Sequence, residues 1–416
     1  MSEWQTFCLK DLGKIVGGAT PPTNNPKNYG NKIAWITPKD LSTLQGRYIK
    51  KGSRSISRLG FKSCSCVLLP KHAILFSSIA PIGYVAIAEK RLCTNQGFKS
   101  IIPNKKIYFE FLYYLLKYHK NNLINMGEGT TIKRIYNIAL GLFKVKIPPT
   151  YYEQQKIART LSILDQKIEN NHKINELLHK ILDLLYEQYF VRFDFLDKNN
   201  KPYQTSGGKM KFSKELNRLI PNDFEVKTLR ELVDIFSGYS FQSNTYSNNK
   251  NDYILITNKN VQHSLVDLSI TTNLLFLPKK LPKYCLLEPT NILITLTGHI
   301  GRCALVFSKN CILNQRVGVV LPKEKELNPF YYSLIRNPLF SATLQRNAIG
   351  SSQQNLSPID TLKIQIPFNH KIIKQYSKTC ENIIKLLVSN MQATQTLTAL
   401  RDFLLPLLLK QQVKPK

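Results

Sequence analysis

Apolar side chains recur at steps of three and four residues along residues 152–195, a stretch that contains neither Gly nor Pro. Two heptad lines run through it, and eight of their ten members are apolar: Ile157, Leu164, Asn171, Leu178 and Leu185, with Leu161, Ile168, Asn175, Leu182 and Tyr189. This pattern predicts a long helix packed against a partner helix. From Glu153 to Arg192 the helix would be roughly 60 Å long at ~1.5 Å per residue, a length that suits a spacer.

A partner helix is predicted 219 residues further along the same chain. Seven of its ten heptad positions are apolar: Tyr376, Ile383, Asn390, Leu397 and Leu404, with Cys380, Leu387, Thr394, Arg401 and Leu408. The polar break recurs in place, because 390 − 171 = 219. Two long helices can show heptads by chance, but the repeated Asn argues against this. The predicted seam between the helices comprises Leu161, Leu164, Ile168, Asn171, Leu178, Ile383, Leu387, Asn390 and Leu397.

The first 149 residues predict a mixed α/β domain. Short runs rich in β-branched residues alternate with Gly, Pro and Asn turns, which is typical of strands (34–37, 66–69, 74–76, 84–88 and 144–147). A short helix is predicted over Phe109–Tyr118, and Pro148-Pro149 closes the last strand before the long helix.

The second half of the chain repeats the first. Leu9, Leu12, Ile15 and Gly18 align with residues 220 positions later: Leu229, Leu232, Ile235 and Gly238. Residues 35–41 match 255–261 at the same offset, and VKIP at 145–148 matches IQIP at 364–367 before the second helix. A duplication of domain plus helix explains these matches. Between the copies, residues 196–222 are polar and contain Pro202 and Gly207-Gly208, so they predict a linker loop.

The predicted fold class is therefore α+β, with two duplicated domains joined by two long helices that form a coiled-coil spacer. The expected ranges are 1–149 for the first domain, 150–195 for the first helix, 196–222 for the linker, 223–368 for the second domain and 369–412 for the second helix. If the packed faces are equivalent, the helices run antiparallel. Asn171 and Asn175 should then approach Asn390 and Thr394, giving a polar centre that fixes the register.

The charge balance favours a nucleic-acid partner. The 416-residue chain has 58 Lys and Arg against 27 Asp and Glu, a formal net charge of +31. An excess of this size is typical of proteins that bind a polyanion, although a Lys- and Asn-rich composition can also come from an AT-rich genome. No apolar run is long enough for a membrane span, and the eight cysteines show no CxxC pair, so a cytoplasmic protein with reduced thiols is expected.

At this point the chain resembles a specificity (S) subunit of a type I restriction-modification enzyme. The similarity covers nearly the whole sequence and lies in the order of target-recognition domain and conserved helix, given twice. Its motifs are IPPTYYEQQKIARTL at 147–161, LLYEQYFVRFDF at 184–195, IPNDFEVKTL at 220–229 and LRDFLLPLLLK at 400–410. The second helix departs from the pattern, since its start at 370–378 lacks the Glu153-Gln154 pair of the first.

The resemblance implies a non-catalytic subunit. It would bind double-stranded DNA, with each target-recognition domain reading one half of a bipartite site, and the helices would hold two methyltransferase (M) subunits. Restriction (R) subunits would join for cleavage. S-adenosylmethionine, ATP and Mg²⁺ would belong to those partners, and no cofactor is expected in this chain. The alternative is a structural coiled-coil interaction protein whose basic charge is incidental.

Signals for independent catalysis are weak. The sequence contains no GxxxxGK[ST] phosphate loop, no GxGxxG and no HExxH. Asn337-Pro338-Leu339-Phe340 is faintly similar to a methyltransferase motif, but a turn that opens a short helix explains it better. Asp223, Glu225 and Lys227 could imitate a nuclease cluster, but alternating exposed charge in a strand is the commoner cause. Neither catalytic residues nor metal ligands are therefore predicted.

Two loops are the candidate DNA readers because they occupy equivalent places before the last strand of each domain. Arg reads guanine, Asn and Gln read adenine, and Lys mostly anchors phosphates. The loop candidates are Thr130, Thr131, Lys133 and Arg134 in the first domain and Ser351, Ser352, Gln353, Gln354 and Asn355 in the second. Candidate phosphate contacts are Arg54, Arg58, Lys62, Lys279 and Lys280. Solvated turns and ordinary surface charge remain open alternatives for both sets.

A second apolar stripe on the first helix is surplus to a two-helix seam. It comprises Ile163, Ile174, Leu177, Ile181 and Leu184. Exposed apolar stripes usually mark a contact, so the stripe predicts part of the M-subunit surface. Packing against the chain's own domains is the alternative.

Overall fold

A computed structural model of the chain describes residues 3–129, 132–247, 249, 252–262, 264–348 and 355–415. The chain divides into two compact units, unit 1 (Met1–Asn171 with Thr394–Lys416) and unit 2 (His172–Ala393). The division falls within both long helices, so each unit contains a part of each helix. Within the described residues, no helix has the length and apolar character needed to cross a membrane.

Unit 1 contains ten strands and six short helices among its described residues. The strands are β1 (Gln5–Cys8), β2 (Gly13–Gly17), β3 (Tyr29–Ile36), β4 (Tyr48–Ile49), β5 (Arg54–Ile56), β6 (Ile74–Phe76), β7 (Val85–Ala88), β8 (Cys93–Thr94), β9 (Lys99–Pro103) and β10 (Lys144–Ile147). The helices are α1 (Leu9–Leu12), α2 (Pro38–Ser42), α3 (Arg58–Lys62), α4 (Phe109–Tyr118), α5 (Lys120–Asn125) and α6 (Asn137–Leu142). The first long helix, α7 (Tyr151–Tyr186), follows and ends in a π-helical turn over Glu187–Val191.

After helix α7, unit 2 begins with a hairpin and continues with a similar series, with more strands and fewer short helices among its described residues. Its strands are β11 (Met210–Ser213), β12 (Arg218–Pro221), β13 (Glu225–Thr228), β14 (Val233–Ser237), β15 (Tyr246–Ser247), β16 (Tyr253–Ile256), β17 (Ser264–Leu265), β18 (Thr272–Leu274), β19 (Leu286–Leu287), β20 (Ile292–Thr295), β21 (Cys303–Leu305), β22 (Cys311–Leu313), β23 (Val317–Pro322) and β24 (Gln365–Phe368). Its helices are α8 (Leu229–Leu232), α9 (Asn328–Arg336), α10 (Pro338–Arg346), α11 (Pro358–Leu362) and the second long helix, α12 (His370–Leu409).

The main sheets of the two units match strand for strand, whereas a second sheet has three strands in unit 1 (β5-β3-β8) and five in unit 2 (β15-β18-β16-β22-β19). The main sheet of unit 1 has the order β2-β9-β6-β7-β4, and that of unit 2 has the order β14-β23-β20-β21-β17. In both, the last strand is parallel to its neighbour and the other pairings are antiparallel. A further two-stranded sheet joins the entry strand of each unit to its last strand, β1 to β10 and β13 to β24. The duplicated mixed α/β architecture predicted from sequence is therefore present.

Several predicted elements have the bounds expected, and others differ. Strand β3 covers 29–36 where 34–37 was expected, and β7 covers 85–88 where 84–88 was expected. Helix α4 and strands β6 and β10 span the predicted residues. Residues 66–69 were expected to be a strand, but only Leu69 forms a bridge there, with Leu92. The linker expected to be a loop contains the β11–β12 hairpin. Its alternating apolar and polar residues support pairing once the turn at 214–217 brings the strands together.

Both long helices are capped at their first residues. The Glu153 amide donates to Thr150 Oγ1 at 3.2 Å, which is an N-cap hydrogen bond, and the Thr150 hydroxyl donates to Glu153 Oε2 at 3.1 Å. Helix α12 lacks this pair, but the Ile372 amide donates to Asn369 Oδ1 at 3.1 Å. Asn is among the preferred N-cap residues, so it replaces the missing motif.

The long helices pack against each other with antiparallel polarity inside each unit. In unit 1, Arg401 Nη1 lies 2.7 Å from Asp165 Oδ1, and Asn171 Nδ2 donates to Thr394 Oγ1 at 3.1 Å. Residue numbers therefore increase in opposite directions along the two helices. In unit 2, Asn390 Nδ2 donates to Asn175 Oδ1 at 3.0 Å. Asn175 Nδ2 also donates to a carbonyl of α12, that of Leu387, at 3.3 Å. These are the polar contacts expected from the heptad pattern.

The predicted seam residues contribute to the cores of the units. Leu161 and Leu387 are fully buried and Ile168 nearly so, while the others are partly buried: Leu164, Asn171, Leu178, Ile383, Asn390 and Leu397. Gln154, also buried, fastens α7 to unit 1, because its side chain accepts from the Tyr108 amide and donates to the Lys106 carbonyl. The helices are thus parts of the unit cores as well as partners of each other.

Candidate nucleic-acid interface

Three loops meet at one edge of unit 1, and main-chain hydrogen bonds join them. The Ser78 amide, after β6, donates to the Gly97 carbonyl at 2.8 Å, and the Ile135 amide donates to the Ser78 carbonyl at 3.0 Å. Arg134 forms a bridge with Ile79 in the same loop. The loops after β6, before β9 and before α6 therefore form one continuous surface.

Unit 2 builds the same edge from its own copies of these loops. The Leu296 amide donates to the Arg316 carbonyl at 3.2 Å, and the Leu356 amide donates to the Leu296 carbonyl at 2.8 Å. Asn355 forms a bridge with Thr297, as Arg134 does with Ile79. The two candidate loops thus occupy equivalent places, as the sequence indicated. Arg134 in unit 1 corresponds to Asn355 in unit 2.

The candidate residues of these loops are only partly covered by the structure. Lys133 and Arg134 are exposed, and so is Asn355. The remaining loop candidates lie outside the described residues: Thr130, Thr131, Ser351, Ser352, Gln353 and Gln354. The described members carry positive charge in unit 1 and an amide in unit 2. The equivalent edges therefore offer different hydrogen-bonding chemistry.

Lys99 is a charged group at the edge of unit 1 that sequence reasoning missed. Burial, and then the nearby charge of Arg134, lowers the pKa of its ammonium. Its Nζ lies 3.3 Å from the place that a Cβ on Gly17 would occupy, so the small residue leaves room for it. The positive charges of Lys99 and Arg134 repel each other, and an anion bound between them would reduce this repulsion. The only signal in the sequence was a Lys three residues after the Asn95-Gln96 turn.

Unit 2 has polar and basic groups at the same edge. Asn258 Nδ2 donates to the Thr297 carbonyl at 2.7 Å, which ties the turn before β17 to the edge. Arg302 Nη1 donates to Gln262 Oε1 at 3.1 Å. Sequence reasoning missed these residues too, because they lie on turns that come together only through the sheet.

The basic candidates outside the loops lie on or shortly after one strand in each unit. Arg54 is on β5, and Arg58 and Lys62 are four residues apart on α3, so they share a helix face. Lys279 and Lys280 lie on the turn between β18 and β19. All five are exposed. Arg58, Lys62, Lys279 and Lys280 therefore follow β5 and β18, the strands that pair antiparallel with β3 and β16.

Arg54 is held in place by aromatic rings. Its guanidinium carbon lies 4.4 Å from the centre of the Tyr29 ring and 5.6 Å from that of Trp35. Such stacking fixes a long side chain while its donors still face solvent. The exposed Arg58 and Lys62 have no comparable support among the contacts of the described residues.

The other motifs weighed in the sequence have structural explanations. Asn337 Oδ1 accepts from the Leu339 amide at 3.0 Å, so Asn337-Pro338 opens helix α10. Lys227 Nζ pairs with Glu225 Oε1 at 2.9 Å on the exposed side of β13. Among the residues that the structure describes, no group of three or more His, Cys, Asp or Glu could hold a metal ion.

Comparison with known proteins gives consistent matches. The model of the type I restriction modification DNA specificity domain matches twice, over residues 1–180 and 221–396. The chain is 32% identical to the type I restriction enzyme MjaIX specificity subunit of Methanocaldococcus jannaschii over 411 residues, which cover 97% of this chain and 92% of that protein. It is 25% identical to the MjaVIII specificity subunit of the same organism over 399 residues, covering 92% and 87%.

A solved structure has the same fold. The crystal structure of a type I restriction-modification S subunit from M. genitalium superposes with a TM-score of 0.58, at 18% sequence identity, over 97% of this chain and 96% of that one. The likeness in fold extends over both units.

Proposed function

This chain belongs to the type I restriction modification DNA specificity family, and from that premise we propose that each of its two units reads one half of a bipartite DNA target. It is the specificity subunit of a type I restriction-modification system, the subunit that selects DNA and does not catalyse its modification. The alternative of a structural coiled-coil protein with incidental charge is not favoured.

The observation that carries the proposal is the duplicated three-loop edge. Its framework is the same in both units, yet Arg134 stands in one where Asn355 stands in the other. Arg pairs best with guanine and Asn with adenine in the major groove. A shared scaffold with different side chains is what two readers of different half-sites require.

The exposed basic groups outside the loops would position the DNA. We propose that Arg58, Lys62, Lys279 and Lys280 contact phosphates, since exposed flexible cations give affinity without sequence preference. We propose a phosphate contact for Arg54 as well, whose stacked guanidinium is oriented before binding. With a net charge of +31, the chain should bind duplex DNA with a steep dependence on salt.

We propose that two methyltransferase subunits dock on equivalent apolar patches of the long helices. On α7, Ile181 and Leu184 are 44% and 66% exposed. On α12, Leu400 and Phe403 are 44% and 65% exposed. The pairs are related by the repeat, since 400 − 181 = 219 and 403 − 184 = 219. Two matching exposed patches suit two copies of one partner.

The rest of the predicted stripe is exposed as well: Ile163, Ile174 and Leu177. These three residues are 41–57% exposed, which favours a partner contact over packing against the chain's own domains. We further propose that restriction subunits join the assembly, and that S-adenosylmethionine, ATP and Mg²⁺ are bound by the partner subunits.

The test is a methylation map made with variants of the two loops. The chain is co-expressed with its methyltransferase subunit, and methylated sites are located by single-molecule sequencing. Lys133→Ala with Arg134→Ala should relax one half-site and leave the other unchanged. Asn355→Ala is the matched control in unit 2, and it should relax only the other half-site. If either variant alters both halves, or neither alters its half, the assignment of one unit to one half-site is wrong.

A further inference from the structure

A cavity of about 430 Å³ opens in unit 1 beside the end of helix α12. Apolar side chains form much of its wall, among them Trp4, Leu115 and Leu409. Lysines lie around it, namely Lys144, Lys146 and Lys410. Its volume lies within the range of ligand sites. None of its lining residues belongs to the three-loop edge or to the exposed helix patches.

The equivalent place in unit 2 is filled by aromatic side chains of the chain itself. Phe224 corresponds to Trp4, since 224 − 4 = 220, and is 1% exposed. Phe193 lies across it with ring centroids 5.5 Å apart in an edge-on arrangement. Phe195 stacks on it at 5.7 Å. Both rings come from the segment that follows α7, so this segment occupies the place that is open in unit 1.

The second copy of this segment lacks the rings. At the repeat distance of 219, Phe193 corresponds to Gln412 and Phe195 to Lys414. Neither residue lines the cavity. Trp4 is consequently only partly buried, whereas Phe224 is covered. Unit 1 therefore keeps the wall of the site but lacks the aromatic side chains that fill its counterpart in unit 2.

Charge distinguishes the two sites as well. In strand register, Lys144 and Lys146 of β10 correspond to Gln365 and Pro367 of β24, two residues further along than the sequence match of VKIP with IQIP indicated. Lys410 corresponds to Val191 at the helix repeat distance of 219. The segment that fills the site in unit 2 has an acid between its two rings, Asp194. A similar segment entering the unit 1 cavity would bring a carboxylate among three lysines, which would favour its binding.

We propose that this cavity binds a segment of another protein chain in which two aromatic residues flank an acidic one. The aromatic rings would cover Trp4 as Phe193 and Phe195 cover Phe224, and the acid would lie among the lysines. The site is separate from the proposed DNA edge and from the proposed helix patches, and it does not depend on either.

The probe is a fluorescein-labelled peptide with the sequence of residues 191–197, VRFDFLD, titrated with the full chain and followed by fluorescence anisotropy. Saturable binding is expected. Replacing both Phe residues of the peptide with Ala keeps its charge and should weaken binding roughly a hundredfold, since each buried ring contributes at least about tenfold. Equal binding of the two peptides, or no saturable binding by the native chain, would overturn the proposal.

Two variants of the protein locate the binding. Thr6 is an exposed residue of the lining, so Thr6→Trp should fill the cavity and abolish peptide binding while the chain stays folded. Lys410→Glu should weaken binding several-fold, and Lys90→Glu, an exposed position on the turn after β7, is the control of equal charge. Circular dichroism of each variant verifies the fold. If Thr6→Trp is folded and binds the peptide as tightly as the native chain, the peptide does not occupy this cavity.

Discussion

The ion pair between the long helices in unit 1 has an apolar counterpart in unit 2, and exchanging one for the other gives a quantitative test. Asp165 is 4% exposed and contacts Arg401 at 2.7 Å. Asp165 also accepts a 2.6 Å hydrogen bond from the Tyr114 hydroxyl. At the repeat distance of 219, Asp165 corresponds to Ile384 and Arg401 to Leu182, both of which are buried. The duplicated fold thus provides its own apolar replacement.

The magnitudes follow from the burial of these groups. Arg401→Leu alone leaves the Asp165 carboxylate buried beside Tyr114 without its cation, and a loss of about 3–5 kcal/mol in the free energy of unfolding is expected. Adding Asp165→Ile removes the uncompensated charge. This double variant should recover most of the loss, apart from about 1–3 kcal/mol for the Tyr114 hydroxyl, which loses its acceptor. Tyr114→Phe as a third change should recover that remainder.

The assay is urea denaturation followed by tryptophan fluorescence. The chain has two tryptophans, Trp4 and Trp35, and both lie in unit 1, so the signal reports on the unit that holds the ion pair. Lys167→Leu removes an exposed cation of α7 in the same unit and is the control, and it should change the free energy of unfolding by at most about 0.5 kcal/mol. The reasoning fails if Arg401→Leu costs no more than this control, or if the double variant is less stable than Arg401→Leu.

Four further predictions concern DNA affinity, assembly with the methyltransferase subunit, pH dependence and the spacing of the half-sites. Affinity for a random duplex should fall by at least tenfold between 50 and 200 mM salt, as measured by anisotropy, because bound counterions are released from phosphates; a flat response would contradict a DNA role. Glu at Ile181 and Leu400 together should prevent co-purification of the methyltransferase subunit while circular dichroism stays native, and Glu at the exposed Tyr253 is the control. Burial, and then the charge of Arg336, lowers the pKa of His179 to about 4, below its unfolded value of about 6.5. The unfolded state therefore binds the proton first as the pH falls, and unit 2 should lose up to about 3 kcal/mol between pH 6.5 and 4; His179→Gln should flatten this slope in urea titrations. Inserting four residues after Asn171 and four more before Thr394 lengthens each long helix by about 6 Å. The gap between the half-sites in methylation maps should then widen by about two base pairs, while the half-site sequences stay the same. Altered half-sites with an unchanged gap would exclude a spacer role.

The parts of the fold that repeat in sequence were predictable from the sequence. The heptad pattern predicted the two long helices, and the matching Asn171 and Asn390 predicted their register, because a polar group in a helix seam must find a partner. Helix α4 and strands β6 and β10 were predictable because their apolar runs are bounded by turn residues. The β11–β12 hairpin was missed, because its short strands are paired through a turn that carries no strong Gly or Pro signal.

The candidate site was less predictable. The equivalence of the two loops followed from their common position before the last strand, and Arg134 and Asn355 do form equivalent bridges. Lys99 and Arg302 were missed because they approach the edge through sheet pairing between distant segments, which spacing along the chain does not reveal. The cavity beside Trp4 was also invisible, since it depends on the absence of aromatic residues at Gln412 and Lys414.

The three-loop edge is joined through main-chain atoms, and this has a consequence for how such a protein can change. The bonds from Ile135 to Ser78 and from Leu356 to Leu296 involve only amides and carbonyls, which every residue except Pro supplies in full. Point substitutions at Arg134 or Asn355 therefore leave the joint intact while they alter the side chains at the edge. If the edge reads DNA as proposed, single substitutions can change the target sequence while each intermediate stays folded.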